Sequence, residues 1–296
     1  MEIPLKQLQF YNNRKDFSIM RADGKKLKNI NPMYAVAAHI MAKRSDACNS
    51  IELNIPLEPM QSYLREVRAR GHNISHLALV IAGFLRTTAE YPFLNRFVVN
   101  KTIYARNEYA VGMVVLKPGE LDGTMNKMYF EMDDDIFAVQ KKLDEYVEQN
   151  RGAGDTNSTD SLIRTLLKIP GLCRLGVCLF KLMDKWGLLP KSIIKASPFH
   201  TSFVISNLAS IRTNHIFHHI YDFGTTSMIL TMGNSREVPK RVNGEITFEK
   251  CMPFGLVMDE RICSGSYYAL AFKRLSEYLR DPRKLEGPPK VVNHEE

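Results

Sequence analysis

The chain has 296 residues, 45% of them hydrophobic and 24% charged, and a formal net charge of +8 at neutral pH, a balance that excludes the disordered, fibrous and small disulfide-stapled classes. Its apolar runs, such as 77–85 and 172–182, fall far short of the roughly 20 residues of a membrane span, and the opening Met-Glu-Ile-Pro-Leu-Lys is unlike a secretory signal, so a cytoplasmic protein without a membrane span is expected. The five cysteines, Cys48, Cys173, Cys178, Cys251 and Cys263, contain no Cys-x-x-Cys pair, and neither structural zinc nor any other metal is expected.

Residues 1–30 read as a polar, basic amino-terminal arm with a turn at Asp23-Gly24 and at most one short strand. From Pro32 a helix is predicted with Met33, Val36, Ala37, Ile40 and Met41 on one face. Residues 50–55 read as a strand, with Ile51, Leu53 and Ile55 alternating against Glu52 and Asn54. Residues 57–70 form a second predicted helix, with Met60, Tyr63, Leu64 and Val67 on one face and Gly71 as its stop. Ser75 is suited to cap a third, apolar nearly all round through Leu77, Val80, Ile81, Phe84 and Leu85 and ended by Tyr91-Pro92; such a helix belongs inside the protein.

Strands are predicted at 109–116 and 124–132, separated by Pro118-Gly119, and Asp133, Asp134 and Asp135 precede a helix that repeats through Ile136, Val139, Leu143, Tyr146 and Val147. Residues 151–160 have loop composition, and 161–190 read as a helical hairpin broken at Pro170-Gly171 and Gly187. Its apolar face is suited to covering the core or a ligand tunnel, with a membrane-surface role as the alternative. Strands follow at 201–206, 227–232, 245–251 and 255–258, then a closing helix at 266–279 and a polar flexible tail over 283–296. The alternation gives one α/β domain (an α+β sandwich) over 31–282, a mixed sheet with covering helices.

Three segments carry chemistry when read together. Residues 203–208, Phe-Val-Ile-Ser-Asn-Leu, resemble the Ser-Asn-Leu-Gly strand of the 2-oxoacid dehydrogenase acyltransferases, with Ala209 for the glycine; 217–233 resemble the next segment, ending Met-Ile-Leu-Thr-Met-Gly; and 259–265, Asp-Glu-Arg-Ile-Cys-Ser-Gly, resemble that family's Asp-His-Arg-x-x-Asp-Gly. Residues 91–95, Tyr-Pro-Phe-Leu-Asn, are similar to the family's Pro-x-x-Asn after a buried helix, so the resemblance runs from about 32 to 285. It implies a chloramphenicol acetyltransferase-like fold, a homotrimer with its substrate channel at a subunit boundary, and transfer of an acyl group between coenzyme A and an acceptor, with no permanently bound cofactor. Lipoyl and peripheral-subunit-binding segments like those of complex-forming members are not expected in this sequence.

Carried over by position, the family's oxyanion-stabilising serine is Ser206, its general-base histidine is replaced by Glu260, and its second aspartate by Ser264. An imidazole titrates near neutrality, whereas an ordinary glutamate does so near 4.3, so a carboxylate in this place is a base only where burial raises it. Otherwise Glu260 is a surface or salt-bridged residue, paired with Arg261 or another arginine. Two readings therefore stand: an active acyltransferase using Ser206 with Glu260 or with a base from elsewhere, and a catalytically degenerate acyl-thioester-binding or scaffold protein.

His218-His219-Ile220-Tyr221-Asp222 echoes a His-His-x-x-x-Asp motif but is one residue short and lies outside the Glu260 turn. His215, His218 and His219 lack a clear carboxylate or cysteine partner for a metal, and His39, His72 and His76 read as surface or helix-start residues. No phosphate-binding Gly-rich loop, Gly-x-Ser-x-Gly elbow or His-Glu-x-x-His is present. The positive charge is spread along the chain, densest over 21–28, without an Arg-rich helix; it reads as a solvated face or as attraction to a phosphorylated ligand such as coenzyme A, and nucleic acid is not expected as a partner.

Overall fold

A computed structural model describes residues 21–116, 123–151, 168, 170–293 and 295. The separator Pro118-Gly119, residues 152–160 of the expected loop and most of the first arm of the expected hairpin lie outside the described residues.

Alternating apolar residues produce two sheets among the described residues. The smaller joins β1 (Gly24–Lys26), β4 (Thr102–Arg106) and β3 (Arg96–Val99) in that spatial order. The larger runs β2 (Cys48–Pro56), β10 (Glu245–Asp259), β8 (Met228–Met232), β7 (Phe203–Asn207), β5 (Tyr109–Leu116) and β6 (Gly123–Phe130), with β9 (Arg236–Val242) paired to the first half of β10. β7 is parallel to both β5 and β8, and the other pairings are antiparallel. It is a mixed sheet, as expected.

The helices follow from caps and periodicity. Ser75 Oγ accepts the Ala78 N–H at 3.1 Å and starts α3 (His76–Glu90), while Asp135 Oδ1 accepts from Phe137 and Ala138 ahead of α4 (Ile136–Arg151). Asn31 caps α1 (Pro32–Ile40), whose first residue is a proline; α2 (Leu57–Ala69) follows β2 without a break. Three more follow among the described residues: α5 (Leu172–Lys185), α6 (Lys191–Ala196) and α7 (Gly265–Arg280). From Ala78 to Ala89 every residue of α3 is buried, and its Phe84 stacks on Phe203 of β7 at 4.8 Å and meets Phe272 of α7 edge-on at 6.3 Å. Thus one face of the sheet, with Val111, Phe203, Ile205, Leu230 and Phe254, forms the main core under α3 and α7. The opposite face holds a smaller cluster of Val204, Ile229, Val257 and Ile220.

Several expectations need correction. Residues 245–258 are one strand, not two, because Pro253 falls where β10 exchanges β9 for β8 as its neighbour, a place where a missing N–H is tolerated. β3, β4 and β9 were not anticipated. In α1 the Met33-Val36-Ile40 face points outward and only Ala38 is buried, so the helix is seated by its other side. Arg21, read as solvated, is buried against Asp23 and Asp184. The tail is not free of the fold: Arg86 donates to the carbonyls of Lys284, Gly287 and Pro288, Asn293 donates to Ala89 and Glu90, and Glu295 pairs with buried Arg96.

Candidate active site

Strand register places the candidate residues. Ser206 of β7 lies opposite Thr231 of β8, Thr231 opposite Gly255 of β10, and Gly255 opposite Glu52 of β2. Directly paired residues share a sheet face, so these four form one row, on the face opposite α3. Ser206 is half-buried, and no hydrogen bond occupies its hydroxyl among the described residues.

A loop over 213–217 lies on this row. Thr231 Oγ1 donates to the Ile216 carbonyl at 2.5 Å and accepts the Ile216 N–H at 3.1 Å. The loop fits because glycine stands just after β8 and within β10: a Cβ on Gly233 would sit 2.3 Å from the His215 nitrogen, and one on Gly255 2.5 Å from the Ile216 carbonyl oxygen. His215 Nε2 reaches Glu52 Oε2 at 3.1 Å, while its buried Nδ1 has no partner among the described residues. The Asn54 amide, then the charges of Arg236 and His215, hold the Glu52 carboxyl below its ordinary value despite partial burial. Sequence reading missed this imidazole–carboxylate pair. Its signal was Glu52 as the one charged residue of β2 and glycine at 233 and 255.

The turn after β10 is built on a buried ion cluster. Asp259 takes Arg261 in a bidentate grip at 2.8 and 2.7 Å, and Arg44 Nε lies 3.6 Å away. Burial alone would lower Arg261, but the hydrogen bonds and charge of Asp259 outweigh it and raise its pKa; Arg44, wholly enclosed, is lowered chiefly by burial. Arg44 also ties in the 217–223 loop, its N–H to Asp222 at 2.7 Å and its guanidinium to the Tyr221 carbonyl at 3.0 Å. The Asp259 clamp leaves Glu260 out: its N–H donates to the Ala47 carbonyl at 2.8 Å, and its half-buried carboxylate makes no ion pair among the described residues. The expected pairing with Arg261 therefore does not form. Ser264 caps α7, its Oγ accepting the Tyr267 N–H at 3.3 Å and lying 2.9 Å from Ser266 Oγ.

Within one chain, Ser206 and Glu260 are not together. The Asp259 level is four residues along β10 from the Gly255 level and Ser206 is two strands away, which at about 3.3 Å per residue and 4.8 Å per strand amounts to roughly 16 Å. Ser206 lies on the face opposite α3, and Glu260 in the turn past the end of β10.

Comparison with solved structures decides the architecture. A probable dihydrolipoamide acetyltransferase from Listeria monocytogenes superposes with a TM-score of 0.55 at 13% identity, over 92% of this chain and 99% of that one. The fold is the acyltransferase core fold. Dihydrolipoamide acetyltransferase of Azotobacter vinelandii, whose catalytic mechanism has been investigated at a serine, a histidine and an asparagine, shares it with a TM-score of 0.56 at 14% identity, over 96% and 99% of the two chains. A chloramphenicol acetyltransferase gives 0.50 at 10% identity, over 83% and 94%. Residues 197–286 match the 2-oxoacid dehydrogenases acyltransferase (catalytic domain) family, the stretch of the core that carries Ser206, Glu260 and Ser264. No curated protein matches the sequence.

The remaining candidate residues take other positions. His218 and His219 stack at 4.8 Å on the loop over the smaller cluster, and among the described residues no group of three or more His, Cys, Asp or Glu side chains is placed to hold a metal. His39 Nδ1 lies 2.9 Å from the Ala35 carbonyl, and His72 sits on Phe137 at 4.6 Å. A second grouping, unforeseen from sequence, has the look of a nucleophile relay: His200 Nδ1 is 2.8 Å from Ser197 Oγ and its Nε2 is 3.4 Å from Asp184 Oδ1. All three are buried and Arg21 holds Asp184 at 2.6 Å. Burial lowers the His200 pKa more than Asp184 raises it, and the group acts as a clasp between α5 and the start of β7.

Proposed function

We propose that the protein is a cytoplasmic acyl-transfer core that moves an acyl group between coenzyme A and an acceptor, assembled as a homotrimer whose sites form between neighbouring copies. The observation that carries this is the pairing of two unengaged groups with a preserved clamp. Ser206 and Glu260 keep side chains free of described hydrogen bonds and ion pairs, while Asp259 and Arg261 fix the turn that presents Glu260. The histidine and asparagine of the Azotobacter enzyme stand four residues apart, as Glu260 and Ser264 do here.

In this reading the thioester carbonyl of one bound substrate lies against Ser206. The hydroxyl donates to the oxygen as the carbonyl carbon becomes tetrahedral, a contact whose removal costs about 3 kcal/mol in comparable sites. Glu260 of the adjacent copy takes the proton of the attacking thiol or hydroxyl, and the thiolate of coenzyme A leaves and recovers a proton.

A second reading, thioester binding without turnover, is favoured by one observation: Ser264 spends its hydroxyl on the α7 cap. Turnover of acetyl-coenzyme A with a panel of thiol and hydroxyl acceptors separates the two. Ser206→Ala is expected to lower kcat about 10²–10³-fold, and loss of the proton acceptor in Glu260→Gln about 10²–10⁴-fold. Equal background rates in the wild type and both variants, with coenzyme A still bound, would leave the second reading.

A further inference from the structure

Among the described residues, helix α5 is attached to the protein along one side. Phe180 lies between Phe223, stacked at 4.7 Å, and His200, edge-on at 5.8 Å, and Asp184 is buried against Arg21. The rest of the helix faces outward. Leu175, Leu179, Leu182 and Trp186, spaced four, three and four apart, are 64%, 53%, 55% and 52% exposed, so they form one apolar stripe. Arg174, Lys181 and Lys185, also exposed, form a second stripe beside it. Among the described residues no carboxylate pairs with these three cations, and the one acid of α5, Asp184, is turned inward. Leu188 and Ile193 extend the apolar surface past the helix end.

Scattered exposed leucines are ordinary, but a contiguous stripe marks a surface that meets something. The adjoining cations decide what. An amphipathic helix that lies in a lipid interface sinks its apolar stripe to the acyl boundary, extends lysine and arginine stems up to the phosphates, and places tryptophan at headgroup depth. A second copy of this chain, itself at +8, is a poorer match for three unpaired cations than an anionic surface. We propose that α5 docks the protein on an anionic phospholipid surface, independently of any acyl transfer.

The chain carries its own reporter, because Trp186 is its single tryptophan. With vesicles of phosphatidylcholine containing phosphatidylglycerol, its emission should move to shorter wavelength and the protein should co-sediment. Three cations near the surface favour these vesicles over pure phosphatidylcholine about a hundredfold, and added salt reduces the preference. The Leu179→Glu/Leu182→Glu variant, altered only at exposed positions, should lose the shift while its turnover in vesicle-free buffer is unchanged. Lys181→Glu/Lys185→Glu should lose the preference for anionic lipid. Equal shifts with both vesicle types would overturn the anionic assignment. An emission unmoved by either would overturn the docking itself, and if Leu179→Glu/Leu182→Glu also dissolved an oligomer, the stripe would be a contact between copies.

Discussion

His76 begins α3 with its Nε2 buried and without a partner among the described residues. Burial pushes its imidazole below the ordinary histidine value, and the positive end of the helix dipole acts in the same direction. Between that lowered value and about 6.5, where the unfolded chain titrates, the unfolded state binds more protons than the folded one. Stability is therefore complete above about pH 6.5 and is lost as pH falls through this window, at up to about 1.4 kcal/mol per pH unit. His76→Gln is expected to flatten part of that slope, read from urea midpoints on either side of the window; an unchanged slope would mean that His76 takes no part. His200, also lowered, keeps the remainder.

At the scale of elements, the loop over the Ser206 row depends on absent side chains. Gly255→Ala would press a methyl group against the Ile216 carbonyl and the His215 ring, and overpacking of this kind costs about 1–3 kcal/mol. Gly265 offers the contrast, since a Cβ there meets nothing within 4 Å and the position opens α7. Gly265→Ala is expected to be neutral or stabilising by up to about 1 kcal/mol. Denaturant midpoints moving in the same direction for both would show that the loop is not seated on Gly255.

The same comparison shows what could be read from sequence. α2, α3, α4 and α7 announce themselves through period and caps, and β5 through β8 through short runs rich in apolar and β-branched residues. β9 was hidden by its own charges, although Asn243-Gly244, at φ 52° and 91°, is a strong hairpin signal. The β3–β4 turn uses Asn100 and Lys101 at φ 48° and 62°, where no glycine marks it. That Ser206 lies in a strand and Glu260 in the turn before a helix was legible from local pattern. The row joining Glu52, Gly255, Thr231 and Ser206 was not, because it exists only through pairings between strands distant in the chain.

For the whole molecule, the separation of Ser206 from Glu260 turns the proposed chemistry into a question of assembly. If each site takes its serine from one copy and its glutamate from the next, then mixing Ser206→Ala with Glu260→Gln chains, each inactive alone, rebuilds intact sites. Random exchange leaves about a quarter of the sites with both groups. Recovery of that fraction of wild-type turnover, with sedimentation at three times 33.9 kDa, is the expected outcome; mixtures as inactive as their parts would place both groups' work within one chain or nowhere.

β10 spans two environments. Its second half is buried between β2 and β8, while its first half has only β9 beside it and is largely open to water. Cooperativity is therefore graded along a single continuous backbone: the outer ribbon can melt and re-form while the inner segment opens only when the entire domain does. Pro253 lies at the seam, just past the last β9 pairing and within the ladder to β2.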